Sequence, residues 1–234
     1  MDLPPISRWN VEAELTAFRG GNRNIAFRTV GLQREFVFKS TRRSPDAIEW
    51  LIPVHDLVET CGFAVPRHIR STGGMIVESG WTCEPLIEGS PFGVADLPSI
   101  SDNISRFHRL ANNILQRPGF LSSQDLLKLN AGGDIDLASM PSNIVLKCRE
   151  AWGHLPAGHS TVVHGDLNPS NLLRCADGRP ALLDWDECRR DLPLFDIGQI
   201  QPLGHAEQKA IMAWEVACSW QLEPAYAKQA ANQL

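Results

Sequence analysis

VVHGDLNPSNLLRCADGRPALLDWD, residues Val162 to Asp186, is the stretch from which the rest of the chain is read. It sets His164, Asp166, Asn168, Asn171, Asp184 and Asp186 between two short apolar runs, with an Asp177-Gly178 turn signal in the middle. Two strands joined at that turn would bring Asn171 and Asp184 to one end of a ribbon. Both offer hard oxygen donors, the kind that hold Mg²⁺ while phosphate oxygens complete its shell. Asp166 then lies close enough to act on a hydroxyl. An isolated HGD would read as a polar turn, because Asp and Asn are ordinary turn residues. Here the HGDLNPSN run is followed at hairpin distance by Leu182-Leu183-Asp184-Trp185-Asp186, and the joint pattern points to chemistry.

A chain of 234 residues is long enough for one sizeable domain or two small lobes. Hydrophobic content of 43% and charged content of 21% are those of a soluble globular protein, and no run approaches the ~18 apolar residues of a membrane span. The N-terminus has no basic region followed by an apolar stretch, so a cytoplasmic location is expected. Cysteines 61, 83, 148, 175, 188 and 218 are scattered without a CxxC or a zinc-like histidine spacing, and are read as free thiols. The net charge of −5, with Arg42-Arg43 and Arg189-Arg190 as isolated pairs, gives no nucleic-acid footprint.

Upstream, FRGGNRNIAFRTV (residues 18–30) places Gly20, Gly21 and Asn24 before a β-prone run, and EFVFKS follows from Glu35, which predicts a glycine-containing hairpin. Glycines at 20 and 21 would let backbone N–H groups approach phosphate oxygens with no Cβ in the way. Lys39 ends the run Phe36-Val37-Phe38, where strand alternation would turn one face inward and a lysine suits α- and β-phosphates. The plainer alternative is a strand lysine with its head in water. After Ser44-Pro45-Asp46, apolar residues from Ile48 to Val58 predict one helix of about four turns up to Gly62. Glu49, in its first turn, is a candidate partner for Lys39, with Asp56 and Glu59 as competitors; it equally suits a helix N-terminus. A strand around Ile69, a Gly73-Gly74 turn and a strand MIVES (75–79) then lead to WTCEPLIEGSPF, which exits through Gly89 and Pro91 as a crossover between lobes would. Backbone groups from Leu86 to Glu88 are placed, by position alone, to meet an adenine edge.

The spacing of Ile100, Ile104, Phe107, Ala111 and Ile114 predicts a helix from Pro98 to Gln116, with Ser99 or Ser101 as N-cap and His108 packed on its apolar side. Residues 117–140 are poorly patterned, with a short helix around Gln124 to Leu129, and a helix from Pro141 to Trp152 follows. Beyond the central stretch, Asp196 stands among Leu192, Leu194, Phe195, Ile197 and Ile200. A carboxylate in that company needs donors, and the backbone N–H groups of the loop around Asp166 are candidates. The tail predicts a helix from Ala206 to Gln221, a break near Pro224 and a shorter helix, with Trp214 and Trp220 packing the lobe.

With GGNRN and Phe27, VFK, VPR, EPLIEG, SRFHRLA, HGDLNPSNLL, LLDWDE and FDIGQ in this order, the chain resembles the aminoglycoside phosphotransferase and choline kinase family, the small-molecule branch of the protein-kinase-like fold. Gly165, where protein kinases usually carry arginine, and Trp185, where they carry Phe-Gly, are similar to that branch. The resemblance implies an α+β fold with a β-rich N-terminal lobe (1–88), a mainly helical C-terminal lobe (89–234), and ATP with Mg²⁺ between them. It implies Asp166 as catalytic base, Asn171 and Asp184 as metal ligands, and Lys39 as the phosphate-pairing lysine with Glu49 its partner. Gly20, Gly21, Asn24, Leu86 and Glu88 would lie on the nucleotide, Asp196 would brace the loop, and His164 would support its backbone. The segment after Asp196 is short for members that wrap helices around an aminoglycoside, which implies a restricted or open acceptor site.

The acceptor is a small-molecule alcohol on this reading, with neither nucleic acid nor membrane as partner. Asp186, Glu187 and Asp191 would line an acidic cleft and favour a cationic alcohol such as choline, an amino alcohol or an amino sugar. Alternatively they form a solvated turn balanced by Arg189 and Arg190, leaving an uncharged sugar-like alcohol or a hydroxy amino acid such as homoserine. Asp186 is either a second metal contact or an acceptor residue. A non-catalytic nucleotide-binding regulator is the rival reading, and a protein kinase fits less well because only eleven residues separate Asp184 from Asp196.

Overall fold

The structure, a computed structural model, describes residues 3–18, 24–156 and 158–234. The chain divides into two compact units, Met1–Pro91 with Leu173–Leu183, and Phe92–Leu172 with Asp184–Leu234. The lobe boundary expected after residue 88 thus falls after Pro91, and one ribbon from the middle of the chain returns to the first unit.

In the first unit, β1 (Glu14–Ala17), β2 (Ala26–Val30), β3 (Phe36–Ser40) and β4 (Trp81–Pro85) form an antiparallel sheet in that order. Phe27, Phe38 and Cys83 are cross-strand partners, so their shared face buries them with Trp9, Val11 and Trp81. The helix expected between residues 46 and 62 is two helices, α1 (Pro45–Glu49) and α2 (Leu51–Thr60), parted at Trp50. Pro53 explains the break: it has no N–H to donate and its ring collides with the carbonyl four residues back, that of Glu49. Ser44 caps α1 as its sequence suggests, its Oγ accepting from Ala47 N at 3.2 Å. MIVES forms no strand. A left-handed pair, Ser79 (φ 49°) and Gly80 (φ 79°), reverses the chain there, and only an isolated bridge from Glu78 to Trp81 forms. Ile69 likewise meets β4 through one bond, its N–H to Cys83 O at 2.7 Å. The short β5 (Ser90–Pro91) closes this segment.

The second unit begins with a 3-10 turn, Val94–Ile100, that contains Pro98 and runs into α3 (Ser101–Leu110). This helix is shorter than expected at both ends and no serine side chain caps it. A 3-10 turn at Asp125–Leu127 stands where a short helix was expected; the two-residue strands β6 (Ala131–Gly132) and β7 (Ile135–Asp136) follow, then α4 (Ser142–Gly153) and β8 (Thr161–Val163). The chain returns to the first unit as the ribbon β9 (Leu172–Arg174) and β10 (Pro180–Leu182), with β5 pairing on the far edge of β9. It comes back through β11 (Arg189–Asp191), which pairs antiparallel with β8, and ends in α5 (Leu194–Ile200), α6 (His205–Ser219) and α7 (Pro224–Ala230). The core of this unit joins Trp152, Val163, Phe195 and Trp214 to the alanine face of α6, with Trp220 partly buried against it. Among the described residues no helix is long and apolar enough to cross a membrane.

Candidate active site

The loop after β8 is tied down from below by one buried carboxylate. Asp196, in the first turn of α5, accepts from His164 N and Gly165 N at 2.9 Å each and from His108 Nε2 at 2.8 Å. Burial alone would raise this carboxyl, but the hydrogen bond from His108, the neighbouring His108 and His164 rings and the Gly165 N–H hold it below its ordinary range. His164 is buried edge-on to Trp185, ring centroids 4.8 Å apart, and its Nδ1 accepts from Asp166 N at 3.3 Å. It supports the backbone, as expected from its place in the sequence.

Asp166 is gripped from both sides. Asn168 Nδ2 donates to Oδ1 at 2.7 Å, and Asn171 Nδ2 donates to Oδ2 and to the main-chain oxygen at 2.9 Å each. The sequence builds this grip locally: Asn168 Oδ1 accepts from Ser170 N at 2.9 Å, and Pro169 opens the 3-10 turn that carries Asn171. Asp166 and Asn171 are therefore together. With both Nδ2 bonds spent on Asp166, the remaining polar atom of Asn171 is its carbonyl Oδ1, a suitable Mg²⁺ donor.

Gly165 is forced by packing. Its φ is +85°, and a Cβ there would lie 2.6 Å from both Arg189 Nη1 and Glu187 O. Arg189 is fully buried: Nε donates to Asp191 Oδ2 at 3.0 Å, and Cζ lies 3.4 Å from the Trp214 ring centroid and 4.8 Å from that of Phe195. Asp191 is buried too, accepting in addition from Ser123 Oγ at 2.7 Å and Ser123 N at 3.1 Å. It does not line an acidic cleft; it neutralises the arginine behind the loop. Glu187 is also turned inward, with Oε2 3.5 Å from Cys218 Sγ. Of the three acids expected around the acceptor, Asp186 alone is half-buried rather than buried.

Asp184 adopts a left-handed conformation, φ 57°, which is costly for a residue with a Cβ. The turn after it is held by Arg117, whose Nη1 donates to the carbonyls of Trp185 and Asp186 at 3.0 Å each and of Cys188 at 3.1 Å. Sequence reasoning missed Arg117, which lies in the weakly patterned region, and read Arg189 only as half of an arginine pair. Asp184 and Asn171 Oδ1 are oxygen donors, and among the described residues no group of three His, Cys, Asp or Glu converges as a closed cage. Oxygen donors of this kind would suit Mg²⁺ completed by phosphates and water.

In the first unit, Lys39 Nζ lies 3.2 Å from Glu84 Oε1. Glu49, expected as its partner, instead pairs with Arg70 at 2.8 Å, at the last residue of α1. The competitors Asp56 and Glu59 both engage Arg67 at 2.6 Å. Gly20 and Gly21 lie outside the described residues. Asn24 is half-buried beside Ile25, whose N–H donates to Ser40 Oγ at 2.9 Å. The Leu86 N–H donates to Glu35 O at 2.9 Å, and Glu88 is exposed. β9 passes close to Gly89: a Cβ there would sit 2.7 Å from Arg174 O.

The profile of the APH phosphotransferase enzyme family matches residues 14–231. No curated protein sequence matches the chain. Among solved structures, macrolide 2'-phosphotransferase MphH from Brachybacterium faecium is 15% identical, with a TM-score of 0.56 over 97% of this chain and 93% of that one. A thermostable mutant of aminoglycoside phosphotransferase APH(4)-Ia is 13% identical, with a TM-score of 0.61 over 97% and 96%. Spectinomycin phosphotransferase APH(9)-Ia, in complex with ADP and spectinomycin, is 8% identical, with a TM-score of 0.58 over 97% and 91%. At such identities the likeness is one of fold.

Proposed function

The chain belongs to the phosphotransferase enzyme family and is a small-molecule kinase, and from that premise we propose that it moves the γ-phosphate of ATP to a hydroxyl of its acceptor, with Asp166 as the base. The observation that carries the reading is the two-sided grip of Asn168 and Asn171 on Asp166, on a loop braced by Asp196. Each carboxylate oxygen of Asp166 accepts one amide hydrogen and keeps a lone pair. As the acceptor oxygen bonds to phosphorus and ADP leaves, the hydroxyl proton passes to that carboxylate. Such transfers ask little covalent work of the protein, so holding the base still contributes to the rate.

Asn171 Oδ1 and Asp184 would hold the metal, and Lys39 would face the α- and β-phosphates. Mg²⁺, when bound, supplies countercharge for the β- and γ-phosphates. Asn24, Gly20 and Gly21 are assigned to the phosphates, and the main chain from Leu86 to Glu88 to the base, through groups other than the committed Leu86 N–H. The acceptor is proposed as a small alcohol for which positive charge is not required. Asp191 and Glu187 serve buried partners, so the argument for a cationic acceptor narrows to Asp186.

Asp166→Ala is expected to lower transfer by about a thousandfold while calorimetric affinity for AMP-PNP with Mg²⁺ stays near that of the wild type. Wild-type turnover in this variant would overturn the base assignment. The acceptor class is read from thermal shifts with amino alcohols, aminoglycosides and neutral sugars in the presence of AMP-PNP and Mg²⁺. Stabilisation confined to the cationic compounds would contradict the charge-independent acceptor.

A further inference from the structure

We propose that Glu84 is the positioning residue for Lys39, so that the phosphate lysine is aimed by a neighbouring strand and not by a helix. The inference rests on the phosphotransferase reading and adds a residue to it. Lys39 lies opposite Thr82, and Val37 lies opposite Glu84, in an antiparallel ladder that pairs every residue from Phe36 to Ser40 with one from Pro85 to Trp81. Lys39 and Glu84 therefore share one face of the sheet as diagonal neighbours, within reach of long side chains. Their charged atoms are 3.2 Å apart, and the side chains are only 25% and 9% exposed, so solvent screens this pair less than a surface bridge. The candidate partners on α1 and α2 are committed elsewhere, Glu49 to Arg70 and Asp56 and Glu59 to Arg67.

The source of the glutamate matters. In protein kinases the corresponding lysine is paired by a helix glutamate, and placing that helix is a point of control. Here both partners sit on adjacent hydrogen-bonded strands. Folding the sheet is enough to form the pair, and a shift of α1 would not undo it. The nucleotide-binding lysine is thus set in place without an activating movement.

The test compares four variants, Lys39→Met, Glu84→Gln, Glu84→Asp and Glu49→Ala, by calorimetry with AMP-PNP and Mg²⁺ and by intrinsic ATP hydrolysis. Glu84→Gln is expected to weaken nucleotide binding about tenfold, Glu84→Asp to recover part of the loss, and Glu49→Ala to bind as wild type. In the Lys39→Met background, Glu84→Gln should add no further loss, a coupling that general destabilisation would not produce. Wild-type binding by Glu84→Gln beside a weakened Lys39→Met overturns the pairing and leaves the kinase reading intact. Loss in Glu49→Ala equal to that in Glu84→Gln overturns it too. Wild-type binding and hydrolysis by Lys39→Met would sink the role of Lys39 itself and the proposal with it. Should Glu84→Gln not fold, the Glu84→Asp and Lys39→Met double cycle decides the same question.

Discussion

Asp196 places one oxygen on Gly165 N and the other on His164 N and His108 Nε2, so a single buried charge fixes the backbone immediately before Asp166. Its carboxyl lies below the ordinary value of 3.8. A group whose folded value is depressed adds stability that is complete above its unfolded value and is lost as pH falls through the folded one. Asp196→Asn is therefore expected to flatten the acid limb of a stability-versus-pH curve below about pH 4 and to cost about 2–4 kcal/mol at neutral pH. Urea midpoints measured across pH check both; an acid limb unchanged from wild type would mean that Asp196 is not the titrating brace. Gly165→Ala tests the same loop from the other side. With φ at +85° and Arg189 and Glu187 both 2.6 Å from the added Cβ, the variant should lose about 2 kcal/mol or more, and transfer should fall far more than affinity for AMP-PNP. Asp196 could be foreseen because a carboxylate inside an apolar run demands donors. Arg189 could not, since nothing local in the sequence says that an arginine beside another arginine is buried.

At the scale of elements, α6 supports the loop after β8 through Arg189. Trp214 on this helix covers the Arg189 guanidinium at 3.4 Å, and Arg189 in turn fills the space beside Gly165. Trp214→Phe keeps an aromatic face over the arginine and should be tolerated. Trp214→Ala opens a cavity and should cost about 3–5 kcal/mol; amide exchange at His164 and Gly165 should then speed up more than in α3. Equal acceleration throughout the unit would show α6 to be general packing. Elements carried by strong periodicity or proline punctuation, such as α4 and α6, were legible in the sequence to within one or two residues, and α7 was expected as a shorter helix beyond a break near Pro224. MIVES was misread because its apolar run looks like a strand, while the Ser79-Gly80 reversal gives the ladder to the next five residues. The single helix over α1 and α2 was misread because Pro53 sits inside an otherwise helical pattern, and the assignment of Glu49 failed because its side chain meets Arg70. Glu84 was legible in principle: once β3 and β4 are paired, alternation puts it on the face of Lys39, but the register that pairs them spans more than forty residues of sequence.

At the scale of the whole molecule, the expected cut after residue 88 came from the turn signals at Gly89 and Pro91, which are local. The return of residues 173–183 to the first unit is not, because it depends on pairing between segments some eighty residues apart, and no local pattern encodes that. The consequence is that the first unit is discontinuous. Cut at Pro91, it would leave β5 without Leu173 and Arg174 opposite it, and would leave Ala64 without its bonds to Pro180 O and from Leu182 N, both 2.9 Å. Ala181 and Leu182, fully buried, would be missing from its packing. A fragment of residues 1–91 is therefore expected to show poor amide dispersion and no cooperative thermal transition. The same fragment joined through a flexible Gly/Ser linker to residues 173–183 should recover both, since a linker adds little closure entropy beyond what the native connection already costs. A cooperative transition in residues 1–91 alone would mean that the ribbon only decorates this unit, and that the β1–β4 sheet with α1 and α2 suffices to fold it.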